Sequence, residues 1–248
     1  MYDFSGKFAV LTGAGKGIGY VIAQRLLKEG ISGIALLDYD EALIQETAAR
    51  LDPDGQRTLA IHCDVSKEEQ VAAAFQTIFQ RFGQVDILIN NAGITRDAMF
   101  HKMTPQQMHQ VMDVNFFGTY HCIYQVVPHM RERGCGKILN ISSTSSYGNV
   151  GQANYSASKA AVEGMTRTLA KELGRKGVTI NCILPGNIDT DMMRAVPADI
   201  LERRIANMPM QRLGQPEEIA ALAAFLVSDE ASYVSGACII CSGASSVH

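Results

Sequence analysis

The sequence has no excess of positive charge. Its 22 lysine and arginine residues are offset by 25 aspartate and glutamate residues, which gives a net charge of −3 at pH 7. Proteins that bind nucleic acids or anionic membranes usually concentrate basic residues in one stripe or patch. We therefore expect neither nucleic acid nor a membrane among the partners of this protein.

Long apolar segments and cysteine motifs are also scarce. The first apolar stretch begins at Phe8 and is far too short for a signal peptide or a membrane span. The six cysteines include one C-x-x-C spacing, Cys238 to Cys241, which encloses two isoleucines in a predicted strand. We expect free thiols, no metal site and a reducing, cytoplasmic location.

Apolar segments of strand length alternate with longer segments that have helical periodicity. The short segments are nearly continuous in Val, Ile, Leu and Ala, which is typical of parallel strands covered by helices on both faces. The predicted strands span residues 7–12, 33–38, 58–63, 85–90, 137–141, 178–183 and 237–241. Because no repeat or linker interrupts residues 1–248, we predict a single doubly wound α/β domain of the Rossmann type, with a seven-stranded parallel sheet.

Cap residues predict where several helices begin. Ser66 with Glu69 and Thr104 with Gln107 have capping-box spacing, and Pro216 suits a first helical turn. One connection, residues 187–212, is long and rich in Met and Pro. Because such connections usually serve as lids or binding loops, we predict a mobile substrate loop there.

A glycine-rich turn, T-G-A-G-K-G-I-G at residues 12–19, follows the first predicted strand. Gly13 permits a tight exit from the strand, Gly17 lets the backbone approach a pyrophosphate, and Gly19 lets the next helix pack close to the sheet. The amides at the start of that helix attract phosphate. The turn predicts a dinucleotide site, with a purely structural strand-to-helix turn as the alternative.

Residues near the end of the second strand bear on the choice of dinucleotide. Asp38 lies 19 residues after Gly19, where a carboxylate can bind both hydroxyls of the adenosine ribose and would repel a 2′-phosphate. Lys16 opposes this preference because its cation could meet that phosphate. Tyr39 occupies the position where an arginine would favour NADP most. We predict that NAD(H) is favoured over NADP(H).

Tyr155 and Lys159 share one helix face in a Tyr-Ser-Ala-Ser-Lys run. Reduction of a ketone needs a hydride on carbon and a proton on oxygen. A tyrosine with its ordinary pKa of about 10 exchanges protons poorly at neutral pH unless its phenolate is stabilised. A lysine one helical turn away supplies that charge and can also hold the nicotinamide ribose. The pair predicts a phenolic general acid in a nicotinamide site.

A series of ordered motifs resembles the short-chain dehydrogenase/reductase family over essentially the whole chain. The motifs are T-G-x-x-x-G-x-G at 12–19, Asp64-Val65, N-N-A-G at 90–93, Asn115, N-I-S-S at 140–143, Tyr155-x-x-x-Lys159, and Pro185-Gly186 with Thr190. The resemblance implies a dehydrogenase or reductase that transfers hydride between a nicotinamide and a carbonyl or alcohol carbon.

The same resemblance implies roles for individual residues. Asp64 would bind the adenine amino group, and Ile188 would offer its backbone to the nicotinamide carboxamide. The implied catalytic residues are Asn115, Ser143, Tyr155 and Lys159, with Asn115 connecting Lys159 to solvent through water. The implied dinucleotide contacts are Gly13, Lys16, Gly17, Ile18, Gly19, Asp38, Asp64, Val65, Asn91, Ala92, Gly93, Tyr155, Lys159, Pro185, Gly186, Ile188 and Thr190.

The choice of catalytic serine depends on which reference point is used. Aligned from the predicted strand, Ser143 occupies the catalytic position. Counted back from Tyr155, the usual spacing of thirteen residues reaches Ser142 instead. Strand alternation decides which side chain faces the site, and loops absorb deletions more readily than strands. We predict Ser143, with Ser142 as the alternative.

Within the family, the segments at 91–97, 151–155 and 185–192 look like those of 3-oxoacyl-[acyl-carrier-protein] reductases and acetoacetyl-CoA reductases. This resemblance implies a 3-oxoacyl thioester substrate, with an acyl carrier protein as a candidate partner. Two alternatives stay open: an NAD-dependent alcohol, polyol or hydroxysteroid dehydrogenase, and an inactive nucleotide-sensing scaffold.

The family also implies a homotetramer that assembles through the long helices after Thr104 and Gln152. Aromatic residues on the first of these helices are candidates for the contact surface, with packing in the core as the competing explanation. The candidates are Phe116, Phe117, Tyr120 and Tyr124.

Overall fold

The computed structural model of the protein describes residues 2–194, 196 and 198–245. Its strands are β1 (Phe8–Thr12), β2 (Gly33–Asp38), β3 (Thr58–His62), β4 (Ile87–Asn90), β5 (Gly136–Ile141), β6 (Val178–Pro185) and β7 (Cys238–Cys241). They form one parallel sheet in the order β3-β2-β1-β4-β5-β6-β7. The predicted seven-stranded Rossmann-type sheet is therefore confirmed. Strand β6 is longer than predicted because Leu184 and Pro185 still pair with β7.

Helices connect these strands. They are α1 (Gly17–Lys28), α2 (Glu41–Leu51), α3 (Glu68–Phe82), α4 (Pro105–Met112), α5 (Gly118–Arg133), α6 (Ala153–Leu173), α7 (Asp191–Arg194), α8 (Ala198–Ala206) and α9 (Pro216–Val227). Among the residues with described coordinates, no helix is long and apolar enough to cross a membrane.

Two apolar layers cover the sheet, one on each face. Ala9 and Leu11 of β1 pack in one layer with residues of α1 and α9, whereas Val10 packs in the other with residues of α3 and α5. Successive side chains of a strand point to opposite faces, so a strand buried on both sides must be apolar at every position. This is the physical basis of the uninterrupted apolar segments in the sequence.

Two of the three predicted helix starts are confirmed. Thr104 and Gln107 form a reciprocal capping box at α4, and α9 begins at Pro216. The predicted capping box at Ser66 is wrong: α3 begins at Glu68, and the Ser66 hydroxyl donates to the Asp64 carboxylate at 2.7 Å. The Ser66 amide also donates to Asp64, at 3.0 Å, so Ser66 belongs to a local turn with Asp64 and lies one residue too early to cap α3.

The strand order places a cleft at the carboxyl edge of the sheet. Connections leave β1 toward β2 on one side, and β4 lies on the other side, so loops diverge at this point. Residues 187–212 lie above this edge and contain α7 and α8, while Ala195 and Pro197 fall outside the described residues. The role of this segment as a mobile substrate loop stays a prediction.

Candidate active site

One cavity of about 770 Å³ extends along the carboxyl edge of the sheet. Its lining brings together predicted residues that lie far apart in the sequence, from the glycine turn through Asp38 and Asp64 to Tyr155 and Thr190. Of the predicted dinucleotide contacts, only Gly19 is missing from the lining. A side chain at Gly19 would collide with the carbonyl oxygen of Gly13, so Gly19 lies under the turn, where it permits close packing of α1.

The glycine turn has the backbone shape that its glycines suggest. Gly13 and Gly17 have φ of +61° and +57°, a left-handed conformation that side chains rarely adopt. A methyl group on Gly13 would lie 2.8 Å from the Cα of Ala92. The Asn91 amide donates to the Gly13 carbonyl at 2.9 Å, which ties the end of β4 to the turn.

Asp38 contacts this turn directly. Its Oδ2 accepts a hydrogen bond from the Gly15 amide at 2.8 Å, and its Oδ1 accepts one from the Asp40 amide at 3.2 Å. The Thr47 hydroxyl donates to the Gly15 carbonyl at 2.8 Å. The carboxylate therefore helps to hold the glycine turn and the start of α2, a contact that the sequence did not suggest.

Tyr155 and Lys159 lie on the same face of α6, as predicted. The Lys159 Nζ lies 5.6 Å from the centroid of the Tyr155 ring and donates to the Ile141 carbonyl at 2.9 Å. Lys159 is buried, and burial lowers the pKa of its ammonium to about 8, an effect opposed by the nearby Cys182. The ammonium of Lys159 therefore loses its proton at a pH closer to neutrality than an exposed lysine does.

The surroundings of Tyr155 raise the pKa of its hydroxyl. Burial is the main cause, the hydrogen bond with Ser143 opposes it, and the Asp97 carboxylate raises the pKa further. The sequence pattern pointed only to Lys159 and predicted a stabilised phenolate. Asp97 was missed, although it follows directly on the N-A-G-I-T-R segment; the Gln152 amide donates to its carboxylate at 2.9 Å.

The two candidate serines point in different directions. Both residues contribute to the lining of the cavity, but only Ser143 is partly exposed, and its hydroxyl lies close enough to Tyr155 to lower the pKa of that residue. Ser142 is buried, and its hydroxyl is 3.1 Å from both the Lys159 carbonyl and a carboxylate oxygen of Glu163. Geometry thus favours Ser143 as the residue beside the acid.

Asn115 is fully buried behind the cavity rather than in its lining. It lies in a π-helical turn, Asp113–Phe117, between α4 and α5. Its amide accepts from the Ile94 N–H at 2.8 Å and donates to the Ile94 carbonyl at 3.1 Å and to the Ser158 hydroxyl at 3.0 Å. Such turns occur often at functional sites, and the sequence contained no signal for this one.

Three known proteins that resemble this chain are all named as reductases. A 3-oxoacyl-[acyl-carrier-protein] reductase of Staphylococcus epidermidis is 38% identical over 96% of this chain and 98% of its own length. An acetoacetyl-CoA reductase of Cupriavidus necator is 40% identical over 93% of this chain and 94% of its own. The crystal structure of a levodione reductase superposes with a TM-score of 0.94 at 34% identity, covering 98% of both chains.

One prediction is corrected by these relatives. Those named 3-oxoacyl-[acyl-carrier-protein] reductase belong to a class that uses NADPH, so the prediction that NAD(H) is favoured over NADP(H) is wrong. The physical reason lies in the turn: one oxygen of Asp38 is bound to the Gly15 amide, and Lys16 lines the same cavity. Position after the second strand alone was too weak an indicator of the preferred dinucleotide.

The family model described as enoyl-(acyl carrier protein) reductase matches residues 13–244. Together with the relatives and the shared fold, this match confirms the resemblance that the motifs suggested. The chain belongs to the short-chain dehydrogenase/reductase family and is an oxidoreductase that acts on CH-OH and ketone groups.

Proposed function

We propose that this protein is an NAD(P)-dependent ketoreductase whose substrate is a 3-oxoacyl thioester, on coenzyme A or an acyl carrier protein, and whose general acid is Tyr155. The observation that carries the proposal is one continuous cavity with the glycine turn along one part and Tyr155, Ser143 and Lys159 along another. The names of the relatives support the thioester class.

The glycine turn suits the pyrophosphate of a dinucleotide. No side chain caps the first turn of α1 among the described residues, so its amides remain for an anion. The nearest atom to a methyl group on Gly17 would be Thr190 Cγ2 at 3.7 Å, which leaves the backbone of Gly17 accessible. Asp64, Ile188 and the other predicted contacts would hold the rest of the molecule along the cavity.

Three side chains would carry the chemistry at the substrate carbonyl. A bound dinucleotide would supply the hydride. The Tyr155 hydroxyl would donate its proton to the carbonyl oxygen, while the Ser143 hydroxyl would hydrogen-bond the same oxygen and hold it in place. The Lys159 ammonium, 5.6 Å from the ring, would stabilise the phenolate that remains. We further propose that Asn115 connects Lys159 to solvent.

The rim of the cavity favours an acyl chain over a sugar or polyol. Met99, Phe100 and Val150 are 50%, 75% and 83% exposed, and they lie a few residues along the chain from Arg96 and Asn149, which line the cavity. The two segments are joined by a hydrogen bond from the Ala98 amide to the Gly151 carbonyl at 2.9 Å. Exposed apolar side chains beside a cleft are typical of surfaces that bind apolar ligands.

The test is a turnover assay with a 3-oxoacyl thioester, a polyol, a hydroxysteroid and a small cyclic diketone, each with both nicotinamide dinucleotides. We expect the highest kcat/KM with the thioester. A higher value with any other substrate would replace the proposed substrate class, and dinucleotide binding without turnover of any of them would indicate a nucleotide-sensing scaffold.

The pH dependence of reduction should report on Lys159. Its pKa is lowered to about 8 by burial, so the ammonium that stabilises the phenolate is present below that pH and is lost above it. We expect kcat/KM for the ketone to be constant below pH 8 and to fall above it. Lys159→Arg, which keeps its charge, should be slower but flat over the same range. A wild-type rate that stays constant to pH of about 10 would contradict this role.

The aromatic residues of α5 and of the π-helical turn before it predict assembly. Phe117, Tyr120 and Tyr124 are 43%, 44% and 59% exposed, whereas Phe116 packs against buried residues around Val162, so core packing explains Phe116 alone. We propose a homotetramer that buries the three exposed rings. Light scattering should give four times the chain mass of 26.9 kDa, and Tyr120→Glu with Tyr124→Glu should lower it. A stable monomer at micromolar concentration would exclude the assembly.

A further inference from the structure

We propose that Glu163 is a positioning residue of the active site, which acts through Ser142 to hold Ser143 and Lys159 beside Tyr155. Glu163 lies one helical turn after Lys159 on α6 and belongs to none of the sequence motifs. The proposal rests on the proposed function, because it assigns a role in the same reaction.

Glu163 is a carboxylate in the wall behind the site. Only 4% of the residue is exposed. One oxygen accepts a hydrogen bond from the Ser142 hydroxyl at 3.1 Å, and the other accepts one from Arg167 at 3.2 Å. Both oxygens are therefore engaged, and the first contacts the segment that carries the catalytic serine.

Ser142 joins three elements at this point. Its amide donates to the Ile183 carbonyl of β6 at 2.8 Å, and its hydroxyl lies 3.1 Å from both the Glu163 carboxylate and the Lys159 carbonyl of α6. A hydroxyl has one hydrogen to donate, and a bond to a carboxylate is stronger than one to a neutral carbonyl. Glu163 is thus the acceptor that determines where the Ser142 side chain points.

The direction of Ser142 determines the direction of its neighbours. Ser143 has extended backbone, with φ of −165° and ψ of 151°, so adjacent side chains point to opposite sides. With Ser142 held against Glu163, Ser143 must face Tyr155. The peptide on the other side contributes the Ile141 carbonyl, which accepts from the Lys159 Nζ at 2.9 Å. The hydrogen bond between Ser142 and Glu163 therefore positions both Ser143 and Lys159 beside Tyr155.

A carboxylate at this position is costly unless its acceptor oxygen is needed. Burying a charge carries a desolvation penalty, and an apolar residue of similar volume is often as stable or more stable. A methionine would fill the same volume at position 163 and could not accept the Ser142 hydrogen. The requirement for an acceptor, rather than for volume, explains the residue.

This distinction makes a matched pair of variants the decisive experiment. Glu163→Gln keeps an acceptor oxygen of nearly the same shape, and kcat should stay within about threefold of wild type. Glu163→Met keeps the volume without the acceptor, and kcat should fall at least about tenfold with little change in KM, approaching the 10²-fold loss that a misplacement of about 1 Å can cause. Equal kcat in the two variants would overturn the proposal.

Ser142→Ala removes the donor instead of the acceptor. It should lower kcat about as much as Glu163→Met, and the double variant should be no slower than Glu163→Met alone, because both changes break one interaction. Losses that multiply in the double variant would mean that the residues act separately, which would refute action through Ser142.

Glu29 provides a control for the general effect of removing a buried carboxylate. Glu29 is 5% exposed, pairs with Arg25 one helical turn away, and is not among the residues that line the cavity. Glu29→Met should change thermal stability while leaving kcat within about twofold. If Glu29→Met lost as much kcat as Glu163→Met, general destabilisation would explain both losses, and the proposal would be overturned.

A second readout separates this proposal from the proposed function. NMR titration of Lys159, labelled at its ε-carbon, needs no substrate. Loosening of the Ile141–Ser143 segment should hydrate the ammonium, so its pKa should rise from about 8 toward its usual value in Glu163→Met but not in Glu163→Gln. An unchanged pKa in Glu163→Met contradicts the proposal. Failure of wild type to reduce thioesters would instead refute the proposed substrate class.

Discussion

Tyr155→Phe is expected to lower kcat by roughly 10²–10⁴-fold, the range typical of a positioned acid or base. The ring keeps its packing in α6, but the hydroxyl beside Ser143 is lost, and with it the proposed general acid. Dinucleotide affinity should change little, because the phenol would be one of many contacts along the cavity and the Lys159 ammonium stays in place to hold the ribose. Steady-state kinetics and fluorescence titration of the dinucleotide measure the two quantities.

Lys159→Ala serves as the comparison for this variant. It should weaken both turnover and dinucleotide affinity, because the ammonium lies beside Tyr155 and at the ribose end of the proposed site. An activity of Tyr155→Phe within about tenfold of wild type would refute the assignment of the acid.

Ser143→Ala is expected to lower kcat by at least about 10²-fold, the loss found when one donor to a developing oxyanion is removed. The variant loses the hydroxyl beside Tyr155 and the bond that this hydroxyl accepts from the Ser145 amide at 3.1 Å, and it leaves the Ser142 contact with Glu163 intact. Ser142→Ala should be milder, about tenfold, since its hydroxyl is bonded to Glu163 behind the site and acts only by positioning its neighbours. The reverse ranking would move the catalytic role to Ser142.

Folding stability offers a check on both serines. Ser142 is buried with its hydroxyl bonded to Glu163, so its removal should lower the midpoint of thermal unfolding. The Ser143 hydroxyl is only partly buried and caps a short turn through the Ser145 amide, so its removal should lower the midpoint by no more than about 2–4 °C. A large stability loss in Ser143→Ala would mean that its kinetic defect reflects packing.

Local patterns were sufficient for much of the fold and for the chemical class. The continuous apolar strands follow from burial on both faces, and a glycine-rich turn after a strand follows from φ near +60° at Gly13 and Gly17. Tyr155 and Lys159 share a face because residues four apart on a helix always do. Each of these features depends on neighbours in the sequence, and each is reproduced in the structure.

The remaining features depend on contacts between residues that are distant in sequence. The Ser66 hydroxyl turned to Asp64 rather than to α3, and Asp38 bound the Gly15 amide, 23 residues away, so neither side chain behaved as its position suggested. Sequence position shows which groups are available but not which partner is nearer, and the dinucleotide preference was misjudged for that reason.

The residues of the candidate active site also fall into those that sequence position predicts and those that depend on distant contacts. The sequence by itself determined the candidate acid Tyr155, the lysine one helical turn after it and the pair of candidate serines. Only the tertiary structure brought Glu163 to Ser142 across 21 residues and so turned Ser143 toward Tyr155. It also decided the direction of the Tyr155 pKa, because burial and Asp97 outweigh the hydrogen bond from Ser143. Solvent exclusion and charge proximity are properties of the folded chain, and no local pattern encodes them.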